Sequence, residues 1–198
     1  MQYLVLGCFA FIMLYIFDLN KIFEISRWIN ISFGIGVGLL IIATTGILLT
    51  ETPQFFLPTI PRLFFGILAL GALTCQLYAI FFALPFKKTY VDGEGKAPLV
   101  DTGFFSLCRH PGVPFFIFLF FFLWLTTGIQ MVFWAGIIWT IMDIIHVYVQ
   151  DRWLFPRYLS GYEQYRHQVP FLIPDITSIK RCTESLRKDR SHESGQKA

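Results

Sequence analysis

Long apolar runs separated by short polar connections are the main pattern of this 198-residue chain. About twenty residues are needed to cross a bilayer as a helix, and several of the runs meet or approach that length. The pattern predicts five transmembrane helices, which cover residues 2–17, 31–50, 63–85, 113–126 and 129–150. The predicted fold class is therefore all-α, a polytopic membrane helical bundle.

The last two predicted helices are joined by a very short connection, "TTG". A connection of this length predicts a tight antiparallel hairpin near the C-terminal end of the bundle. Pro111 and Pro114 stand at the start of the fourth helix, which is short for a full span. We therefore expect that helix to begin within the membrane interface, where proline in a first turn is tolerated.

The distribution of Lys and Arg predicts the orientation in the membrane. Fifteen of the sixteen basic residues fall in three segments, residues 18–30, 86–111 and the chain after residue 151, which should share one side. The other side has only Arg62. By the positive-inside rule, the N-terminus is expected outside and the C-terminal segment in the cytoplasm.

Composition supports a membrane protein and limits the class of partner. The chain is 55% hydrophobic and only 15% charged, whereas soluble domains are close to a quarter charged. Its net charge is only +3. The expected partners are membrane lipids, and no nucleic acid is expected. The four cysteines are scattered without a CxxC pair, which predicts reduced thiols.

Two groups of polar residues lie in or beside the last hairpin, where charges are costly and often functional. Arg109 and His110 precede the fourth helix. The group at the end of the fifth helix comprises Asp143, His146, Gln150 and Asp151. The first three of these recur at three- and four-residue spacing and so share one helical face. Because a tight hairpin returns to the surface it left, we expect the two groups to meet there.

Simpler roles are alternatives for the same residues. Arg109 and Arg152 can be interfacial anchors. Asp143 and His146 can satisfy each other as a pair or make a hydrogen bond to another helix. Tyr162 and Tyr165 would ordinarily be interface aromatics. A metal site would draw on His110, Asp143, His146 and Asp151. The chain has no HxxxH or HxxHH pattern of membrane di-iron enzymes, however, so no metal is expected.

Residues 99–174 resemble the isoprenylcysteine carboxyl methyltransferase and phospholipid methyltransferase family of small integral membrane enzymes. The family pattern has a glycine before an Arg-His-Pro element, then a helical hairpin, a Glu-Glu pair, and spaced tyrosines and prolines. Here the pattern is carried by "DTGFFSLCRHP" and "QDRWLFPRYLSGYEQYRHQVPFLIP". The matching residues are Gly103, Arg109, His110, Pro111, Leu154, Tyr162, Tyr165, Val169, Pro170 and Pro174.

The chain departs from the family pattern at a few positions. These are Val113, Pro114, Phe115, Gln150, Asp151 and Leu159. The family's tyrosine and glycine after the Arg-His-Pro element are replaced by Val113 and Phe115, and its Glu-Glu pair by Gln-Asp. Leu159 stands in place of a glycine. Such departures would be expected to weaken the affinity for the cofactor and the activity.

The resemblance implies methyl transfer from S-adenosylmethionine to a lipophilic acceptor, such as an isoprenylcysteine carboxylate or a lipid-like molecule. It implies Arg109 and His110 as catalytic residues. The implied cofactor-binding residues are Arg109, His110, Pro111, Gln150, Asp151, Tyr162 and Tyr165. Arg109 would clamp the carboxylate of the donor, and Asp151 would hold its ammonium group or a ribose hydroxyl.

Two other functions remain open for the same sequence. One is an NADPH-dependent enzyme similar to sterol reductases, and the other is a membrane protein of the same fold with a degenerate, non-catalytic site. In each case the expected organisation is the same. It consists of N-terminal transmembrane helices over residues 1–85, a methyltransferase-like core over 86–175, and a charged, mobile tail over 176–198.

Overall fold

A computed structural model describes residues 1–82 and 99–195, and the regular elements within those residues are helical. The longer helices are α1 (Gln2–Phe23), α2 (Ile31–Thr50), α3 (Thr59–Leu77), α5 (Gly112–Thr127), α6 (Gln130–Val149) and α9 (Ile176–Gly195). The short ones are α4 (Phe104–Leu107), α7 (Phe155–Tyr158) and α8 (Tyr162–Gln168). A 3₁₀ turn (Arg27–Asn30) precedes α2, and π-helical turns follow α3 (Tyr78–Phe82) and α6 (Gln150–Leu154).

Four helical segments are long and apolar enough to cross a membrane. They run over Gln2–Phe23, Arg27–Thr50, Thr59–Ile80 and Gln130–Tyr158. The fifth predicted span corresponds to α5, which has 16 residues and is a shorter apolar helix. The predicted all-helical membrane fold is thus confirmed, with four helices of spanning length in the described residues.

The predicted helix positions agree closely for α2, α5 and α6. The third predicted helix begins earlier than expected, at Thr59, because Pro61 is accommodated in the first turn. Its predicted end at residue 85 lies outside the described residues. The same is true of the predicted loop that contains Lys87, Lys88 and Lys96.

Helix α1 continues past its predicted end at residue 17 to Phe23. The added turns contain two buried polar residues, Asp18 and Asn20, which are 1% and 4% exposed. Asn20 Nδ2 donates to Ser26 O at 2.9 Å and to Asn30 Oδ1 at 2.8 Å, and Asn20 Oδ1 accepts from Ser26 N. A polar residue that has its hydrogen bonds within the protein can be buried, so the polar stretch after residue 17 does not end the helix.

The chain divides into two compact units. The first unit comprises Met1–Thr74 and Phe115–Leu154, and the second comprises Cys75–Pro114 and Phe155–Ala198. Arg109 and His110 therefore belong to the second unit, whereas Gln150 and Asp151 belong to the first.

The core of the first unit is aromatic and centres on Trp139 of α6, which is fully buried. Its ring meets Phe120 of α5 edge-on at 5.4 Å, and its Nε1 donates to Leu4 O at 3.1 Å. At Gly7 of α1 an added Cβ would lie 2.0 Å from the Trp139 ring, so glycine allows this close approach. An indole that donates to a backbone carbonyl can be buried without losing its hydrogen bond.

Helices α5 and α6 form the predicted antiparallel hairpin with a two-residue connection, Gly128 and Ile129. Gly128 has φ +70° and an ideal Cβ there would lie 1.9 Å from the Phe55 carbonyl oxygen. Its own carbonyl accepts from Gln54 N at 2.8 Å. The turn is therefore left-handed and closed against the α2–α3 connection, which only glycine permits without strain.

The second unit is built around short helices that contact the C-terminal helix α9. The N–H of Gly103, which precedes α4, donates to Ser185 Oγ of α9 at 2.9 Å. Asp175 and Ser178 form reciprocal side-chain to backbone hydrogen bonds at the start of α9. This capping arrangement explains where α9 begins. The predicted mobility of residues 176–198 concerns motion and stays a prediction.

Candidate functional site

The Arg-His-Pro element lies between α4 and α5 and contacts the segment after α8. Arg109 N donates to Pro170 O at 2.9 Å, and its guanidinium lies 5.4 Å from the centroid of the Phe171 ring. A cation over an aromatic face is attracted by the ring quadrupole. The backbone and the side chain of Arg109 are thus both held against the same short segment, while the side chain stays half-buried.

His110, which follows Arg109, packs against two aromatic rings. Its imidazole is 6% exposed, stacks on Phe155 with 5.6 Å between centroids, and meets Phe171 edge-on at 5.1 Å. Pro111, which follows, is buried. The His110 ring is therefore held by one residue that precedes α8 in the chain, Phe155, and one that follows it, Phe171.

Tyr162 and Tyr165 of α8 are buried at 2% and 6% exposure, with their ring centroids 5.8 Å apart. Tyr165 Oη donates to Phe105 O of α4 at 2.6 Å. Tyr162 meets Phe155 edge-on at 5.5 Å. Because the Tyr165 hydroxyl holds α8 to α4, Tyr165 serves the integrity of the second unit whatever else it does.

Gln150 and Asp151 lie in the π-helical turn that follows α6, at 9% and 4% exposure. A π-helical turn widens the backbone spacing and is found frequently at functional sites. The sequence predicted the polar character of this position but not the change in helical geometry. A hydrophobicity pattern contains no signal that distinguishes one π turn from a continuing α-helix.

The structure brings together five of the predicted site residues in the second unit: Arg109, His110, Pro111, Tyr162 and Tyr165. Gln150 and Asp151 belong to the first unit. The prediction that the group of Arg109 and the group of Asp151 meet joins residues of both units and stays a prediction.

The departures from the family pattern are compatible with the local structure. Val113 is 1% exposed and its N–H donates to His110 O at 3.2 Å. Pro114 lies in the first turn of α5, where its missing N–H has no helical partner to lose. Leu159 is 5% exposed, and its N–H donates to Phe155 O.

A buried ion pair that sequence reasoning missed lies in the first unit. His146 Nε2 of α6 is 2.6 Å from Asp18 Oδ2 of α1, and Tyr15 lies edge-on to the imidazole at 5.2 Å. His146 was predicted to interact across helices or with Asp143, and its ion-pair partner is Asp18. The prediction of α1 ended before Asp18, so this residue was assigned to a connecting loop.

Within residues 1–82 and 99–195, no three His, Cys, Asp or Glu side chains are grouped so as to hold a metal ion. The alternative metal set of His110, Asp143, His146 and Asp151 does not form such a group among these residues.

Comparisons of the chain with family models, with curated proteins and with solved structures give no match. The methyltransferase resemblance therefore rests on the residues of the chain itself.

Proposed function

We propose that the protein is an integral membrane methyltransferase that uses S-adenosylmethionine to methylate a lipophilic acceptor. The observation that carries the proposal is the contact between Arg109 and the Pro170–Phe171 segment. These residues belong to the two separate halves of the family-like pattern. An ordered motif whose distant parts also contact one another is better support than the motif alone.

The charged groups suit the three parts of the donor. The guanidinium of Arg109 can hold a carboxylate through two parallel hydrogen bonds, and the residue is half-buried. The Asp151 carboxylate can accept from an ammonium group or a ribose hydroxyl, and Gln150 adds hydrogen bonds without a countercharge. The half-buried ring of Phe171 could offer a flat apolar surface of the kind an adenine requires.

The donor, when bound, supplies an activated methyl group on a sulfonium centre. The chain must then align the acceptor and exclude water from it. A carboxylate acceptor needs no base, because it is already a nucleophile. An amine or phenol acceptor must lose a proton, and His110 would be its base, because His146 is already paired with Asp18. The acceptor is therefore proposed only as lipophilic.

We further infer that α5 enters the bilayer as a fifth membrane helix and that the C-terminal segment is cytoplasmic. The two-residue connection to α6 returns the chain towards the side from which α5 starts. The basic residues after α6 favour the cytoplasmic side. The donor, which is water-soluble, would then bind from the cytoplasm, and the acceptor would enter from the bilayer.

Ligand-induced stabilisation of the purified full-length protein tests the proposal. We expect S-adenosylmethionine and S-adenosylhomocysteine to raise the thermal unfolding temperature in detergent by several degrees. A ligand at a hundredfold excess over its Kd stabilises the folded state by about 2.7 kcal/mol. The Arg109→Ala and Asp151→Asn variants should lose most of this shift, and Arg109→Lys should keep part of it, because lysine retains the charge but not the bidentate geometry.

Two matched controls separate loss of a binding group from loss of charge. Arg62→Ala and Asp101→Asn remove an exposed cation and an exposed anion, and both should respond to the ligands as the wild type does. A shift with NADPH and none with S-adenosylhomocysteine would replace the proposal by the reductase-like alternative. No shift with any of the three ligands would favour the non-catalytic alternative.

A further inference from the structure

Four titratable side chains come close together in the first unit at the level of α1 and α6. Asp18, 1% exposed, and His146, 8% exposed, form the 2.6 Å ion pair. Tyr15 packs edge-on against the imidazole and donates its hydroxyl to Met142 O at 2.6 Å. Asp143 lies three residues before His146 on α6 and therefore on the same helical face. We name these four residues the Asp18–His146 cluster.

The Asp18–His146 cluster carries more potential negative than positive charge. It has two carboxylates and one imidazole, and with His146 protonated its pair with Asp18 is neutral overall. Asp143 is then the excess group. Within the described residues, no hydrogen bond or 4 Å ion pair engages the Asp143 carboxylate.

The helices packed against α6 supply few positive charges that could balance a negative charge on Asp143. Helices α2 and α5 contain no titratable side chain. On α1 the groups are Tyr3 and Cys8 in the first half of the helix, Tyr15 and Asp18, already named, and Lys21, whose ammonium lies 5.7 Å from the centroid of the Phe17 ring. The π-helical turn after α6 adds Asp151 and Arg152, about 12 Å further along the helix axis at 1.5 Å per residue.

Asp143 lies inside the apolar helix α6, about 20 Å from Gln130 at 1.5 Å per residue and about two turns before the charged residues Asp151 and Arg152. A bare carboxylate at that depth is costly, and ionisable residues inside membrane helices commonly take part in proton or substrate movement. Binding a proton removes the excess charge, whereas the absence of a three-ligand group in the described residues argues against a metal ion.

We propose that Asp143, His146 and Asp18 form an intramembrane proton-binding site, in which Asp143 takes up and releases one proton beside the fixed Asp18–His146 ion pair. The inference does not depend on methyltransferase activity. It assigns Asp143 the exchangeable proton because, among the described residues, Asp143 has no ion-pair partner, while the carboxylate of the buried Asp18 is paired with His146. Uptake changes the cluster from one net negative charge to none.

Infrared difference spectroscopy of the full-length protein in liposomes tests this site directly. A protonated carboxylic acid has a carbonyl stretching band that a carboxylate lacks. We expect the wild type to show such a band at low pH and to lose it as the pH is raised. The Asp143→Asn variant should lack the titrating band, Asp143→Glu should retain one, and His146→Gln should move its midpoint.

The control is Asp101→Asn, which removes an exposed carboxylate of the second unit and should leave the band unchanged. Unfolding temperatures of Asp143→Asn and Asp143→Glu, measured alongside, show that the variants are folded. If the titrating band persists in Asp143→Asn and vanishes in Asp18→Asn, the exchangeable proton is on Asp18 and the assignment is overturned. If the wild type shows no titrating band beyond that of Asp143→Asn, the proton-binding site itself is rejected.

Discussion

Cys108, directly before Arg109, is a buried thiol whose surroundings determine its reactivity. It is 1% exposed. The pKa of the Cys108 thiol is raised to about 11, chiefly by burial; a backbone hydrogen bond with His110 lowers it, and the nearby Cys182 raises it. The neutral thiol is therefore the stable form beside the candidate site, and a nucleophilic role for Cys108 is disfavoured at neutral pH.

Alkylation should reveal this shift. Because the thiolate is the reactive form, a rise in pKa from 9.0 to about 11 lowers the reactive fraction near neutral pH roughly a hundredfold. We expect iodoacetamide to modify Cys108 at least that much more slowly in the native protein than in the protein unfolded in urea, as followed by mass spectrometry of the Cys108 peptide. The native rate should rise only as the pH approaches 11. Equal rates in the two states at about pH 8 would contradict the buried environment.

At the residue scale, the sequence was most informative where chemistry is local. Arg109 and His110 were identified because an Arg-His-Pro element beside an apolar helix is unusual, and the structure places both against aromatic rings. Asp18 was not identified. The burial of Asp18 depends on His146, which is remote in the chain. A hydropathy scale counts any charged residue as unfavourable in a membrane helix, whether or not the charge is paired. The signal that could have found it is the helix-compatible stretch "DLNKIF", which continues α1 without a glycine or a proline.

At the element scale, the hairpin of α5 and α6 depends on one glycine. Gly128 combines a left-handed φ of +70° with an approach that leaves no room for a Cβ beside the Phe55 carbonyl. A short helix–helix connection was predictable from the length of the polar gap. The contact with the α2–α3 connection was not, because it arises from segments far apart in the chain.

Replacing this glycine should weaken the first unit. We expect Gly128→Ala to destabilise the protein by about 1–3 kcal/mol from backbone strain alone, with a further cost from the clash with Phe55. The matched control is Gly38→Ala in α2, where an added Cβ meets nothing within 4 Å and alanine favours the helix. Thermal unfolding in detergent measures both. An unchanged unfolding temperature in Gly128→Ala would show that the turn is not closed as the structure has it.

Helix boundaries that are set by neighbouring residues were predicted, whereas those that depend on remote parts of the chain were not. The ends of α2 and α5 were predicted to within a residue because turn residues or charges lie directly beside them. The π-helical turn at Gln150–Leu154 was not predicted, since its sequence is compatible with an ordinary helix. The apolar periodicity therefore determines which segments are helical, and side-chain partners elsewhere determine where a helix extends or changes geometry.

At the scale of the whole molecule, charge placement distinguishes the two membrane sides. The α2–α3 connection, residues 51–58, has no basic residue, and Arg62 follows it in the first turn of α3. The chain after α6 contains nine basic residues. Lys and Arg are retained on the cytoplasmic side during insertion, so the C-terminal segment is expected there. Four spanning helices and one shorter helix would have to be arranged consistently with that bias.

Reporter fusions test the orientation. We expect green fluorescent protein fused after Ala198 to fluoresce and alkaline phosphatase at the same position to be inactive, because the first reporter requires the cytoplasm and the second an oxidising exterior. The control is a truncation that places each reporter after Gln54, in the α2–α3 connection, where the outcomes should be reversed. Active phosphatase after Ala198 would place the basic C-terminal segment outside. The Arg109 side chain could then no longer be assigned to a cytoplasmic donor site on the grounds of charge, and the proposed entry of a water-soluble methyl donor from the cytoplasm would lose its basis.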